Sequence, residues 1–444
     1  MNSMTAVILA AGRGTRMKSD IPKVLHNAAG MPLIKHVLAA VEAAGIDDIC
    51  MVVGHGAEQV KACCGERYAY AVQQPQLGTG HAVQQALPYL TPGRDVLVLC
   101  GDTPLLDAAT LGALRAQFAA AGADCTVLTA RPADAAAYGR IVRGADGDIA
   151  AIVEYRDADD SLRAIGEVNS GVYCFRYAAL TAVIDELKAD NAQGELYLTD
   201  AVAAIKARGG RVSACVCADA EQIAGVNDRV QLAEAGKALW RRKARQLMAD
   251  GVSILDPDSV YIDAGVSIGA DTLIEPQAYI YGDTVIGSGC HIGPAVKIID
   301  SVIGDGCDIG PFAYLRPGTR LGDKVKAGHF VEMKNAQIGN GSKVPHLSYI
   351  GDAVIGERSN IGCGTITCNY DGVHKHTTTI GDEVFVGSNS NFIAPVTVGD
   401  RASIAAGSTV TEDVPAGALA VARGRQYNSK DWARRKDPRY NKDK

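Results

Sequence analysis

Residues 261–298 read YIDAGVSIGADTLIEPQAYIYGDTVIGSGCHIGPAVKI, and isoleucine recurs there at 262, 268, 274, 280, 286, 292 and 298, an unbroken interval of six. Neither a helix, with its 3.6-residue turn, nor a strand, with its period of two, produces that spacing. The register slips once and resumes at Ile303, Ile309, Leu315 and Leu321, then at Ile338, Val344 and Ile350, at Ile355 and Ile361, and finally from Ile380 to Val410. Four residues after such an aliphatic comes a small or β-branched side chain, as at Thr272, Ala278, Cys290, Cys307, Ser359 and Ser408. Six residues forming one side of a triangular coil explain both features. The aliphatic points inward and stacks on its equivalent one coil away, and the small residue fits the corner. The expected fold is a left-handed parallel β-helix of hexapeptide repeats.

Outward from the repeats, residues 229–248 carry apolar side chains at helical spacing, and Gly251 closes the segment, which predicts a connector helix. A different architecture precedes it. The apolar run 5–10 ends at Ala11-Gly12-Arg13-Gly14-Thr15-Arg16-Met17, a helical pattern covers 33–44, and strand-like runs follow at 49–53, 96–99 and 124–129. This is the alternation of an α/β sheet with helices on both faces, which binds ligands at the carboxyl ends of its strands. Gly12 and Gly14 let the backbone approach a phosphate, and Arg13, Arg16 and Lys23 supply positive charge beside it. The loop has neither the third glycine of the dinucleotide fingerprint nor the Gly-Lys-Ser/Thr of a Walker loop. Asp102 follows the run 96–99, so its carboxylate stands where a divalent metal could bridge it to a triphosphate.

At 444 residues, with 47% hydrophobic and 21% charged side chains, the chain is long enough for two globular domains. No apolar run approaches the roughly 18 residues of a membrane span. The first residues carry no secretory signal pattern, so a cytoplasmic protein without membrane insertion is expected. A net charge of −6 leaves no footprint for nucleic acid. The one basic cluster is Arg434, Arg435, Lys436, Arg439, Lys442 and Lys444, read as a solvated tail. Twelve scattered cysteines predict neither a disulfide framework nor structural zinc, and Cys215-x-Cys217 reads as packing in a buried strand.

The repeat breaks between residues 324 and 343 and again between 367 and 379, where polar and aromatic residues replace the pattern; such departures mark functional loops. The segments are Gly328-His329-Phe330-Val331-Glu332-Met333-Lys334 and Cys368-Asn369-Tyr370-Asp371-Gly372, with His346-Leu347-Ser348-Tyr349 and Ala394-Pro395-Val396 beside them.

The string 9–17 followed by Pro22-Lys23-Val24-Leu25 resembles the signature of sugar-phosphate nucleotidyltransferases. Gln76-Leu77-Gly78-Thr79-Gly80-His81-Ala82, Gly101-Asp102-Thr103-Pro104-Leu105 and Tyr138-Gly139-Arg140-Ile141 fit that family in the same order. With Leu315-Arg316-Pro317-Gly318, Gly362-Cys363-Gly364-Thr365 and the segments at the repeat breaks, essentially the whole chain resembles the bifunctional GlmU family. The resemblance implies acetyl transfer from acetyl-CoA to glucosamine-1-phosphate in the β-helix. In the front domain it implies UMP transfer from UTP to N-acetylglucosamine-1-phosphate with magnesium, making UDP-N-acetylglucosamine, a cell-wall precursor. Both reactants of the second step are anionic, so it needs positioning and charge neutralisation by metal, Arg16 and Lys23, and no covalent nucleophile.

By the same resemblance, Leu9, Ala10, Ala11, Gly12, Gly14, Lys23 and Gly101 surround the nucleotide sugar. Gln73, Gly78 and Thr79 fall to the uracil, Gly139, Glu154 and Asn169 to the sugar, and Asp102 with Asn227 to the magnesium ion. His346 matches the catalytic base of acetyl transfer, suited by an imidazole pKa near neutrality, and Glu332 is expected to orient it. Arg316 and Lys334 match contacts to the acceptor phosphate, Tyr349 and Asn360 to its sugar, and Cys363, Asn369, Tyr370, Ser388, Ala406 and Arg423 contacts to acetyl-CoA. A homotrimer is expected, because a three-faced prism closes into a three-fold ring with clefts between neighbours.

Cys100 stands where a tyrosine often precedes Gly-Asp, Pro345 precedes the expected base, and the first β-helix section reads one coil short. The expected organisation is a nucleotidyltransferase domain with a Rossmann-like mixed sheet over 1–227, a connector helix over 228–250, the β-helix over 251–423 and a basic tail over 424–444. Two other readings compete: a nucleotidyltransferase for another sugar with a purely structural or regulatory β-helix, and a non-catalytic relative. The first predicts loss of His346, Lys334 or Asn369-Tyr370, the second loss of Arg16, Lys23 or Asp102, and all are present.

Overall fold

The protein is described from a computed structural model covering residues 3–135, 137–437 and 439. It divides into two compact units, Met1–Arg242 and Lys243–Lys444.

The first unit is built on a nine-stranded sheet. Its strands are β1 (Met4–Ala10), β2 (Asp48–Val53), β3 (Ala69–Val72), β4 (Asp95–Cys100), β5 (Cys125–Ala130), β6 (Arg140–Arg143), β7 (Ile149–Val153), β8 (Val168–Phe175) and β9 (Val212–Val216). The order β9-β5-β8-β4-β1-β2-β3 is parallel except at β8, which runs antiparallel to both neighbours, with the β6–β7 hairpin paired to it. The sheet is therefore mixed. Its central strands are continuous apolar runs because both faces are covered. Ile8, Leu97, Leu99 and Leu128 pack into one core, and Val7, Val96, Val98 and Val127 into the other. In register, Leu9 pairs with both Val52 and Cys100. The loops that follow β1, β2 and β4 consequently open at the same level of the sheet. Cys215 lies on β9, an edge strand whose Val216 is 48% exposed, and Cys217 lies just beyond it, so this segment is only partly the buried strand expected.

A helix spans Arg229–Ala249, and the division between the units falls within it. Ala235 packs with Leu33 and Val226 in the first unit, and Ala244 and Leu247 belong to the β-helix core.

In the second unit short parallel strands stack in three columns, a left-handed parallel β-helix. One column runs Ile262, Ile280, Ile298, Leu315, Met333, Ile350, each the register partner of the next. A second runs Ile268, Ile286, Ile303, Leu321, Ile338, Ile355, Ile380, Val398. These side chains are buried, so the core is a line of stacked aliphatics. The corner residues also hold the coils together. Thr272 Oγ1 donates to Gly287 O at 2.9 Å and Ser359 Oγ to Gly381 O at 2.8 Å, which satisfies buried hydroxyls between coils.

The two expected repeat breaks differ in kind. Residues 324–343 stay on the coil, with Ala327 and Met333 in inward positions, because side chains of other sizes fill the same slots. Only the segment after Cys368 leaves it, turning back through a bridge between Tyr370 and Lys375 before Thr378–Ile380 resumes the stack. The described part of the basic tail is exposed, with a short helix at Trp432–Lys436; Lys442 and Lys444 lie outside the described residues.

Candidate active sites

In the first unit a cleft of about 390 Å³ opens at the carboxyl ends of β1, β2 and β4. Leu9, Ala10, Ala11, Gly12, Lys23, Gln73, Gly78, Thr79 and Asp102 line it, together with Arg13, with Gln76 of the segment 76–82, and with Glu195, which was not singled out from sequence. The two loop glycines serve different ends. A Cβ on Gly12 would meet nothing within 4 Å, so its absence leaves room in the cleft. Gly14 has φ +60°, and a Cβ there would lie 2.6 Å from Lys23 Cβ, so it lets the lysine stem pack close. Gly78, at φ +108°, faces Leu196 O in the same way, and Thr79 Oγ1 accepts from Leu198 N at 3.0 Å. The segment 195–199 thus closes one wall.

Lys23 donates to Asp102 and, at 3.2 Å, to Asn227 Oδ1, which also accepts from Arg16 at 2.9 Å. Two oxygens expected to hold a metal thus already converge on one cation. Among the described residues no group of three or more His, Cys, Asp or Glu gathers that could hold a metal ion. Glu154, Gly139 and Asn169 form a second cluster. Asn169 N donates to Gly139 O at 2.9 Å, a Cβ on Gly139 would lie 3.4 Å from Glu154 Oε1, and Thr199 Oγ1 donates to that carboxylate at 3.4 Å. Burial pushes the Glu154 carboxyl above its ordinary range. Gly101 N donates to Leu9 O at 2.9 Å and joins the two loops. Burial pushes the Cys100 thiol up to about 12, which favours its neutral form.

In the second unit the expected residues flank one corner of the coil. Strand Lys343–His346 leads through Leu347 into Tyr349–Ile355. The corner column continues through Cys363, Ser388 and Ala406: Asn389 N donates to Cys363 O at 2.7 Å, Gly407 N to Ser388 O at 2.8 Å, and Arg423 NH1 to Ala406 O at 2.9 Å. Asn360 lies one face back, between Lys343 and Phe385. On the other side of the corner, Arg316 pairs with Glu332 at 2.8 Å, and Glu332 is in register with Tyr349.

In this structure Glu332 pairs with Arg316. The partner of His346 Nδ1 is His329, at 3.2 Å to Nε2, whereas Glu332 starts the next face and neutralises Arg316. Asn369 and Tyr370 sit at the insertion. Asn369 is buried and donates to Asp352, and Tyr370 is exposed, its hydroxyl donating to Gly372 O at 2.6 Å. Sequence reading missed Lys375, although it lies in the second repeat break. Its ammonium crowds that of Lys334 and is the largest cause holding the Lys334 pKa below its ordinary value. Burial, which alone would raise the Asp352 carboxyl, is outweighed there by hydrogen bonds from Asn335 and Asn369.

Fold and sites define a two-unit transferase, a nucleotidyltransferase in front of a hexapeptide acyltransferase. The MobA-like NTP transferase domain matches residues 6–225, and the six-repeat bacterial transferase hexapeptide matches 265–299 and 377–412. The chain is 54% identical to the bifunctional protein GlmU of Heliobacterium modesticaldum over 98% of its own length and 99% of that protein's. It is 50% identical to that of Carboxydothermus hydrogenoformans over 97% and 100%, and 48% to that of Brevibacillus brevis over 98% of each. The chain belongs to the GlmU family. It is a bifunctional enzyme, a uridyltransferase joined to an acetyltransferase. Among the described residues no helix is long and apolar enough to cross a membrane.

Proposed function

We propose that the β-helix acetylates glucosamine-1-phosphate with acetyl-CoA, and that the front unit transfers UMP from UTP to N-acetylglucosamine-1-phosphate, releasing pyrophosphate. The observation that carries the first half is the gathering at one corner of the coil of His346 against His329 and of Arg316 against Glu332, with Tyr349 in register beside them. Arg316, Lys334 and Lys375 offer positive charge to a phosphate dianion beside that corner, and a purely structural coil has no need of such a cluster. His346 takes the proton of the attacking amine, Tyr349 and Asn360 hold the sugar, and the exposed Ser388, with Cys363, Ala406 and Arg423 along the same corner, receives the acetyl-CoA. Asn369 and Tyr370 complete that cofactor site from the insertion.

In the front unit, Gln73 supports the choice of uracil. Its Nε2 donates to Gly78 O at 2.9 Å, which leaves Oε1 as the acceptor of the amide. An acceptor receives the N3–H of uracil and finds none on cytosine. Arg16 and Lys23 bind phosphate charge, and Glu154, Gly139 and Asn169 bind the acceptor sugar. Asp102 and Asn227 would hold a magnesium ion, which neutralises phosphate charge when bound.

The assembly proposed is a homotrimer. Phe312, Phe330 and Leu347 occupy successive positive-φ corners beside His346 and are 51%, 55% and 57% exposed, the two phenyl rings stacked at 5.1 Å. An apolar ridge beside a site is what a neighbouring copy would cover. The test of the function is a paired assay on purified protein: acetyl-CoA with glucosamine-1-phosphate, and UTP with N-acetylglucosamine-1-phosphate. Both reactions are expected; silence in either one refutes that half.

A further inference from the structure

We propose that His329 is a positioning residue for His346, the two imidazoles forming a dyad in which the first sets the tautomer of the second; this rests on the reading of His346 as the base. The strands Lys326–His329 and Lys343–His346 pair in parallel register, His329 opposite His346. Such pairing puts like side chains about one strand spacing apart, ~4.8 Å, and the ring centroids are 4.5 Å apart. The rings are not stacked. Their planes meet at 59°, so His346 Nδ1 faces His329 Nε2 at 3.2 Å, with His329 Nδ1 farther at 3.4 Å. Phe330 holds the His329 ring by an edge contact, centroids 5.8 Å apart at 83°. Leu347 N, next to the base, donates to His329 O at 3.0 Å, so backbone and side chain of one coil carry those of the next.

The consequence is a matter of hydrogen counting. A neutral imidazole has one N–H and one lone pair, and the bond made by one nitrogen decides the state of the other. If His346 Nδ1 carries its hydrogen and donates it to His329 Nε2, then His346 Nε2 is left as a lone pair, the form a base requires. During acetyl transfer the amine nitrogen forms a bond to the thioester carbonyl carbon and loses a proton to His346 Nε2. The C–S bond then breaks with its electron pair on sulfur, and Nε2 returns the proton to the thiolate. Between those events His346 is an imidazolium whose Nδ1–H is held by the His329 lone pair, which spreads the charge. A carboxylate in this position would do the same with a full charge; a second imidazole does it while staying neutral.

The test compares the full-length His329→Phe protein, which keeps ring shape and the Phe330 contact, with His329→Gln, whose amide retains a polar group at about the reach of Nε2. His329→Phe is expected to lower acetyl-transfer kcat about 10-fold to 100-fold, the range typical of removing a group that orients a histidine. KM for acetyl-CoA and the uridylyl transfer rate should stay near wild type, and His329→Gln should recover most of the loss. Nitrogen-15 NMR of His346 in the wild type should report a hydrogen on Nδ1, shifting toward the other tautomer in His329→Phe. A kcat for His329→Phe within two-fold of wild type, or an unchanged His346 tautomer, overturns the dyad. His346→Ala separates the two ideas. If it is nearly inactive while His329→Phe is fully active, the dyad alone fails; if it acetylates normally, the base assignment fails.

Discussion

Lys23 and Asp102, 79 residues apart, form an ion pair across the mouth of the first unit's cleft, both side chains largely shielded, at 17% and 16% exposure. The lysine follows the loop after β1 and the aspartate follows β4, strands that are parallel neighbours, so the pair exists because the sheet brings those two carboxyl ends together. Asp102→Asn removes the anionic partner and the expected metal ligand while keeping shape. Uridylyl transfer and its response to magnesium should fall steeply, and acetyl transfer should stay near wild type, as measured in the paired assay. An equal fall in both activities without unfolding would contradict separate sites.

The crowded pair Lys334 and Lys375 predicts a linked proton. The neighbouring ammonium holds the Lys334 pKa down in the free protein, and bound phosphate would pull it back up. Binding glucosamine-1-phosphate should therefore take up protons at alkaline pH, and affinity should weaken as pH rises through the depressed pKa. Titration calorimetry in buffers of different ionisation enthalpy measures the uptake. Lys375→Met should abolish most of it and raise KM for the sugar phosphate more than it lowers kcat.

His346→Ala should lower acetyl-transfer turnover at least about 100-fold, the usual scale for a general base, with uridylyl transfer unchanged. Glu332→Gln should behave differently, since Glu332 holds Arg316 and not the imidazole. A partly exposed ion pair contributes modestly, so at most about a five-fold change is expected, and in KM for the sugar phosphate. Steady-state kinetics that placed the Glu332→Gln effect wholly in kcat would restore it as the orienting group.

The exposed Phe312–Phe330 stack predicts assembly. Sedimentation of the wild type should give a trimer, and Phe330→Asp should shift it toward monomer and reduce acetyl transfer while uridylyl transfer persists. A stable monomer with full acetyl-transfer activity would exclude a site completed by a neighbour.

Much of the fold was legible because its signals are local. The six-residue spacing from Ile262 to Ile298 could only be a coil, since each inward aliphatic needs an equivalent one turn away. The apolar runs of β1, β2 and β4, with loops of glycine and basic residues after them, marked the cleft for a similar reason. The antiparallel direction of β8 was not visible, because a buried strand has the same composition in either direction.

By itself, then, the sequence determined the two architectures and the residue types available to each site, because hydrophobic period and loop chemistry are written along the chain. Which groups touch was decided only in three dimensions. Glu332 meets Arg316 and not His346, His346 meets His329, and Lys375 meets Lys334. These pairings depend on coil lengths that vary between neighbouring turns and on an insertion that folds back, and a side chain's partner in a parallel stack is set by that accumulated register.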